Sequence, residues 1–234
     1  MSNHTSREFE AELRELRAHS LAMGARCERI LRIALDAFWG NSEALARQVE
    51  ELDRQIDRDE MDIDALVLRV LALRQPVAYD LRFLATALKL VTDLERIGDE
   101  AVNIAERAAE GENEAKHRVK KQLFEMGELA QEMVRDALDA FVHADMERAD
   151  EVLQRDDQVD ARYGEVLRTM MDFMAEAPTQ IPAAVRVIKV AKYIERVADH
   201  ATNIAEEAIF MVRGDDVRHS KSHVPPDAEE RHKH

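Results

Sequence analysis

The sequence predicts an all-α protein made of two pseudo-symmetric three-helix bundles, and three observations carry that expectation. The chain of 234 residues holds only 7 Gly and 5 Pro and is 46% hydrophobic, a composition suited to long helices around a sizeable core with few tight turns. Apolar side chains recur at helical spacing through nearly the whole chain. A segment near the middle then returns about a hundred positions later, which marks an internal duplication.

The elements follow in order. Periodicity from about Ser6 to Phe38 predicts the first helix, and Trp39-Gly40-Asn41-Ser42 supplies a stop with two N-cap residues for the next. The second runs from about Ser42 to Leu73, with Ile56, Ile63, Leu66 and Val70 on one stripe. Arg74-Gln75-Pro76 ends it, because proline brings no amide donor and clashes with the preceding turn. The third runs from about Val77 to Ala109, and Gly111-Glu112-Asn113 is the turn at the midpoint. Three more helices are expected over about Glu114 to Val142, Asp145 to Ala175 and Pro182 to Val212, divided by His143-Ala144-Asp145 and by Pro178 with Pro182. The bundles therefore span 6–110 and 114–213, and residues 214–234, without apolar periodicity, are expected to be a disordered tail. Rods of about thirty residues are roughly 45 Å long, and short turns between them impose antiparallel packing.

A net charge of −15 disfavours nucleic acid, whose affinity comes from clustered Lys and Arg; cations or basic protein surfaces fit better. The single cysteine, Cys27, cannot form an internal disulfide, and the N-terminus lacks the apolar core of a signal peptide. The expected location is the cytoplasm. Charged residues interrupt every apolar stretch short of the roughly 18 residues that span a bilayer, so a membrane is reached only through a partner.

The duplication singles out residues. LKLVTDLERIGDEAVNIAERA at 88–108 and IKVAKYIERVADHATNIAEEA at 188–208 share ten of 21 positions at an offset of 100, polar ones included. MGARCERILRIALDAF at 23–38 and MGELAQEMVRDALDAF at 126–141 share eight of 16 at an offset of 103, and Asp53 with Asp57 aligns with Asp156 and Asp160 at that same offset.

On a helix turning 100° per residue, Glu95, Asp99 and Glu106 fall within about 40° of one another, with Asn103 about 40° further round. Leu90, Leu94, Ile97, Ala101, Ile104 and Ala108 lie on the other side, so the core is satisfied without the acids. Glu195, Asp199, Asn203 and Glu206 repeat the pattern. Acids at i and i+4 repel by a few tenths of a kcal/mol, and a cation reverses the sign. Oxygen donors without thiols suit magnesium, manganese, calcium or iron rather than a closed structural zinc site. The bland alternative is a solvated acidic face, with Arg96 and Arg196 offsetting its charge. Repetition in both halves favours the ligand reading.

With ERIGDEAVNIAE and ERVADHATNIAE inside a duplicated three-helix unit, and YDLRFL at 79–84 opening the third helix, the chain resembles the PhoU family over about residues 8 to 212. The resemblance implies a non-catalytic, cytoplasmic negative regulator of the phosphate-starvation response. Such a protein links the ATPase of the high-affinity phosphate ABC transporter to a sensor histidine kinase. The resemblance also implies homodimers, and multinuclear iron, zinc or other metal clusters held by paired E(D)xxxD motifs. On that basis Glu95, Asp99, Glu195 and Asp199 are the best-matched ligands, and Asp53, Asp57, Asp156 and Asp160 join them from the neighbouring helices; Asn103, Glu106, Asn203 and Glu206 are additional candidates. The copies differ at Asp93 against Tyr193 and at Glu100 against His200, so the two faces are not identical. Gly98, opposite Ala198, costs up to about 1 kcal/mol of helix propensity, which a close contact there would explain.

Rival classes fit less well. A di-metal carboxylate enzyme needs paired Glu-x-x-His motifs on core helices, and only Glu114 to His117 and Glu229 to His232 have that spacing. There is no glycine-rich loop to cradle a phosphate. A plain metal-binding or docking scaffold unrelated to phosphate is the remaining alternative. Met170, Met171, Phe173 and Met174 are read as core, Cys27 as incidental, and the tail histidines as nonspecific metal scavengers.

Overall fold

The computed structural model describes residues 2–110 and 114–214. Seven α-helices follow one another: α1 (Ser2–Gly40), α2 (Glu43–Arg74), α3 (Ala78–Ala105), α4 (Glu114–Arg118), α5 (Lys120–His143), α6 (Met146–Glu176) and α7 (Ile181–Arg213), with no strand among the described residues. The midpoint turn at 111–113 and the expected tail at 215–234 lie outside the described residues.

The expected stops are where local chemistry places them. Asn41 takes a left-handed φ of 51°, and Ser42 caps α2 by accepting from the Leu45 amide at 3.3 Å. Asp145 caps α6 by accepting from the Arg148 amide at 3.1 Å. Gly214, at φ 80°, closes α7 by donating its amide to the Phe210 carbonyl.

Two elements depart from expectation. The third helix keeps α geometry only to Ala105 and then tightens into a 3-10 turn over Glu106–Glu110, the usual way a helix end satisfies its last carbonyls. The fourth expected helix is broken at Val119, whose φ of −120° and ψ of 17° separate α4 from α5. Lys116 stands one turn before the break. Its side chain is 2% exposed and its ammonium donates to the Phe38 carbonyl and, at 2.9 Å, to Asn41 Oδ1, while lying 4.3 Å from the Phe38 ring centre. The short α4 is thereby bolted onto the last turn of α1, where orphan carbonyls and the negative end of the helix favour a cation.

Within each half three long helices pack on one another: α1, α2 and α3, then α5, α6 and α7. The halves meet through α3 against α7 and α1 against α5, so these four make the centre and α2 and α6 flank it. Both contacts are antiparallel and pseudo-symmetric. The Arg82 Nε donates to the Met211 carbonyl at 3.0 Å, and further along the same pair Asp93 meets His200. Gly24 sits under Leu138 as Gly127 sits under Leu35, where a Cβ would come within 2.3 and 2.8 Å of a leucine methyl; glycine is what lets α1 and α5 approach. The buried apolar residues form one cluster running through both halves.

The buried Lys116 gives a testable consequence. Lys116→Met keeps the length but leaves the Phe38 carbonyl and Asn41 Oδ1 without that donor, so it costs roughly 1–3 kcal/mol. Urea unfolding followed by fluorescence of Trp39, the single tryptophan, should show that loss, and an unchanged midpoint would show that the clasp contributes nothing.

Candidate carboxylate faces

The expected apolar side of α3 is the buried one: Leu90, Leu94, Ile97, Ala101 and Ile104 are fully covered and Ala108 nearly so. The acids accordingly look away from the core toward α2, and those of α7 look toward α6. Asp53, half-buried on α2, stands in the field of the Asp57, Asp99 and Glu95 carboxylates, in that order of strength. A Cβ on Gly98 would lie 3.0 Å from Asp53 Oδ1 and 3.4 Å from the Ile56 Cδ1. The mid-helix glycine is thus the close contact its propensity cost implied. On the other side Asp199 stands in the fields of Glu195, Asp156 and Asp160. The eight principal candidates are brought together as two faces of four.

Electrostatics follow from that crowding. Loss of hydration, and then the neighbouring carboxylates, push Asp53 up to about 6 and Asp199 likewise to about 6. Glu95 is raised by the same causes, with Arg96 and His200 opposing. Among the described residues no three acidic, imidazole or thiol groups stand in coordinating position. The donors are all oxygen, the type that hard cations take, but in this arrangement they form no coordinating group.

Four additional candidates fall elsewhere. The Asn203 amide donates to Asp93 at 3.1 Å and the Asn103 amide to Glu100 at 3.3 Å, which places both on the α3–α7 seam. Glu106 lies in the 3-10 turn beside Arg107, at 3.2 Å, and Glu206 is half-buried on α7.

The seam also holds what single-residue reasoning missed. Asp93 accepts from both His200, at 2.8 Å, and Asn203; Glu100, 5% exposed, meets Arg196 at 2.9 Å, and buried Glu207 meets Lys89 at 2.8 Å. Arg96 does offset its acids, at 3.6 Å from Glu95 and 3.7 Å from Asp99. Arg196, expected to do the same, crosses the seam instead. Glu60 is a further member of the first face, raised by burial and then by Glu95, Asp64 and Asp57. It escaped notice because its counterpart, Tyr163, is not acidic.

Of the side readings, Met170 and Phe173 are core and Met174 packs against it, whereas Met171 is 59% exposed. Cys27 is fully buried, donates to the Leu94 carbonyl at 3.3 Å, and has its thiol pushed up by burial, consistent with an inert role.

With this geometry in place, comparison with known proteins decides the family. The PhoU domain matches the chain twice, at residues 21–108 and 123–208. The chain belongs to the PhoU family. It is 44% identical over 228 residues to the phosphate-specific transport system accessory protein PhoU homolog of Pseudomonas putida, covering 94% of this chain and 86% of that one. To the accessory protein PhoU of Escherichia coli K12 it is 34% identical over 219 residues, covering 94% and 91%. The crystal structure of PhoU from Pseudomonas aeruginosa superposes with a TM-score of 0.84 at 42% identity, covering 88% of this chain and 100% of that one. The phosphate transport system regulatory protein PhoU from Streptococcus pneumoniae superposes at 0.78 and 28% identity, covering 89% and 99%. Both PhoU-domain matches include the acids of α3 and α7, so the paired faces belong to the part shared with the family.

The raised aspartates set a pH dependence. A folded-state value near 6 against an ordinary 3.8 means that the folded protein holds the proton more tightly. Stability from this source is therefore fully present below 3.8 and is lost as the pH rises through 6. In metal-free protein Asp53→Asn should raise the melting temperature at pH 7.5, with the gain fading by pH 4. A lowered melting temperature at pH 7.5 would mean that no such repulsion exists.

Proposed function

We propose that the protein is an accessory regulator of phosphate uptake that restrains the phosphate-starvation response by contact rather than by chemistry. It joins the ATPase of a phosphate ABC transporter to a sensor histidine kinase, acts in the cytoplasm as a homodimer, and binds metal ions on its two carboxylate faces. The observation that carries this reading is the family match in both halves, together with relatives that are named as accessory proteins of the phosphate-specific transport system and that align over nearly their whole length. No described helix is long and apolar enough to cross a membrane, which is in keeping with reaching the transporter through a partner subunit.

The residues that would hold the metal are Asp53, Asp57, Glu95 and Asp99 on one face and Asp156, Asp160, Glu195 and Asp199 on the other. A bound cation would supply charge neutralisation, converting repulsion between α2 and α3, and between α6 and α7, into attraction. Iron, zinc, magnesium and manganese are the candidate ions. The chain's own part is to hold the carboxylates in facing rows on helices fixed by the core.

Deletion of the gene in its host should raise alkaline phosphatase expression in phosphate-rich medium to the level of the starved wild type, and a plasmid copy should restore repression. Purified protein should also capture the transporter ATPase and the sensor kinase. Unchanged repression in the deletion strain, or capture of neither partner, would remove the adaptor reading and leave a helical scaffold.

A further inference from the structure

Above the seam where α1 meets α5, the surface carries two adjoining depressions. The first is lined by Arg29 and Arg32 of α1 with Glu28, and by Gln131 and Arg135 of α5. The second shares Arg32 and Gln131 with it and continues to Leu35, Trp39, Leu123 and Phe124. At about 260 and 230 Å³, each falls below the roughly 300 Å³ at which small-molecule pockets begin. Together they make a groove suited to the side chains of a docked segment.

Its arginines are left over in a chain of net charge −15. Among the described residues Arg29 and Arg32 enter no ion pair, and Arg135 comes only within 3.9 Å of its own neighbour Asp136, which Arg155 already holds. Arginines nearby behave otherwise: Arg26 pairs with Asp59 and Arg148 with Asp139. Glu28, the one carboxylate lining the basic depression, is raised first by burial and then by Asp139 and Asp136, against Arg135 and Arg32. The aromatic end is uncovered as well, with Phe124 53% exposed. The duplication gives the groove a direction. Arg32 and Arg135 occupy equivalent positions, but the equivalents of Trp39 and Phe124 are Val142 and Leu21, so only one end of the seam is aromatic.

We propose that this groove docks an acidic amphipathic helix of a partner protein, its carboxylates on Arg29, Arg32 and Arg135 and its apolar side chains on Trp39 and Phe124. Charge complementarity fixes the class of partner, because unpaired guanidinium forks match carboxylates in geometry as well as sign. Aromatic residues and arginine are also the types that concentrate binding energy at protein interfaces. From Arg29 to Trp39 is about 15 Å along α1, which roughly three turns of a partner helix would cover. Asp36 and Glu128 line the aromatic half, so the acids of the docked helix belong over the arginines and its apolar residues over the rings. The inference is independent of metal binding on the carboxylate faces.

The test titrates the full chain with a synthetic helical peptide of about four turns, leucines at helical spacing in one half and glutamates in the other. Trp39, the single tryptophan, reports occupancy through its fluorescence, and circular dichroism confirms that each variant is folded. Wild type should give a saturable shift of Trp39 emission, and a peptide with lysine in place of glutamate should give none. Arg32→Glu combined with Arg135→Glu should weaken binding by about tenfold or more, and Phe124→Ala should weaken it as well. No shift with the wild type, equal binding of the lysine peptide, or a double variant that binds as the wild type does would overturn the inference. Inorganic phosphate that alone shifts Trp39 and displaces the peptide would overturn it too, since the groove would then be a site for a small oxyanion.

Discussion

The antiparallel contact of α3 with α7 is the constraint on which the rest of the molecule depends. Each of these helices already packs on two partners in its own half, and the contact between them takes up a further side. Apolar residues fill the directions toward the core and the seam is lined by paired polar groups. What remains for Glu95 and Asp99, or Glu195 and Asp199, is the groove beside the flanking helix. The carboxylate faces are thus consequences of where α3 and α7 cannot point their acids, and Asp53 with Asp57, or Asp156 with Asp160, meets them there because α2 and α6 pack only on the outer side.

The same contact explains why the copies diverged where they did. Two helices related by a pseudo-two-fold axis bring position 93 opposite position 200, and position 193 opposite position 100. Had both copies kept Asp at the first position and Glu at the second, each crossing would have set two carboxylates against each other in a half-buried seam, a costly arrangement without a counter-charge. His200 opposite Asp93 turns one crossing into a hydrogen bond of 2.8 Å. Glu100 keeps its carboxylate because Arg196 reaches across to it, and Tyr193 brings no charge to that end. The differences that make the two faces unlike are complementarity across the seam.

Much of this was legible in the sequence, for a reason that also bounds what was not. Helix extents, the Ser42 and Asp145 caps and the apolar side of α3 depend on residues close in the chain, and periodicity reads such relations directly. The eight principal acids were found because the duplication filtered them from an abundance of surface charge. That filter discards whatever one copy has alone. Glu60, Lys116 and His200, which meets Asp93, have no like counterpart, and each gains its meaning from a helix far away in sequence. Lys116 is the sharpest case: a lysine in a short charged stretch reads as solvent-facing, and only the end of α1 seventy-five residues earlier, at Asn41, makes it a buried clasp.

The acids themselves remain to be accounted for in physical terms. They contribute nothing to the apolar core, they repel their own i+4 neighbours, and packing then half-buries them beside further acids on α2 and α6, so that burial first and the neighbouring carboxylates second raise Asp53 and Asp199 to about 6. Within this one chain, half of the aligned positions of α3 and α7 have changed while the Glu and Asp of both motifs have stayed. Apolar packing gives no reason for that retention; replacing either acid by its amide would relieve repulsion and would give up only the ion pairs with Arg96 or Lys192. Negative charge is thus kept at those places in both halves, beside different cations. On α3 Arg96 lies 3.6 Å from Glu95 and 3.7 Å from Asp99, and on α7 Lys192 lies 2.6 Å from Glu195.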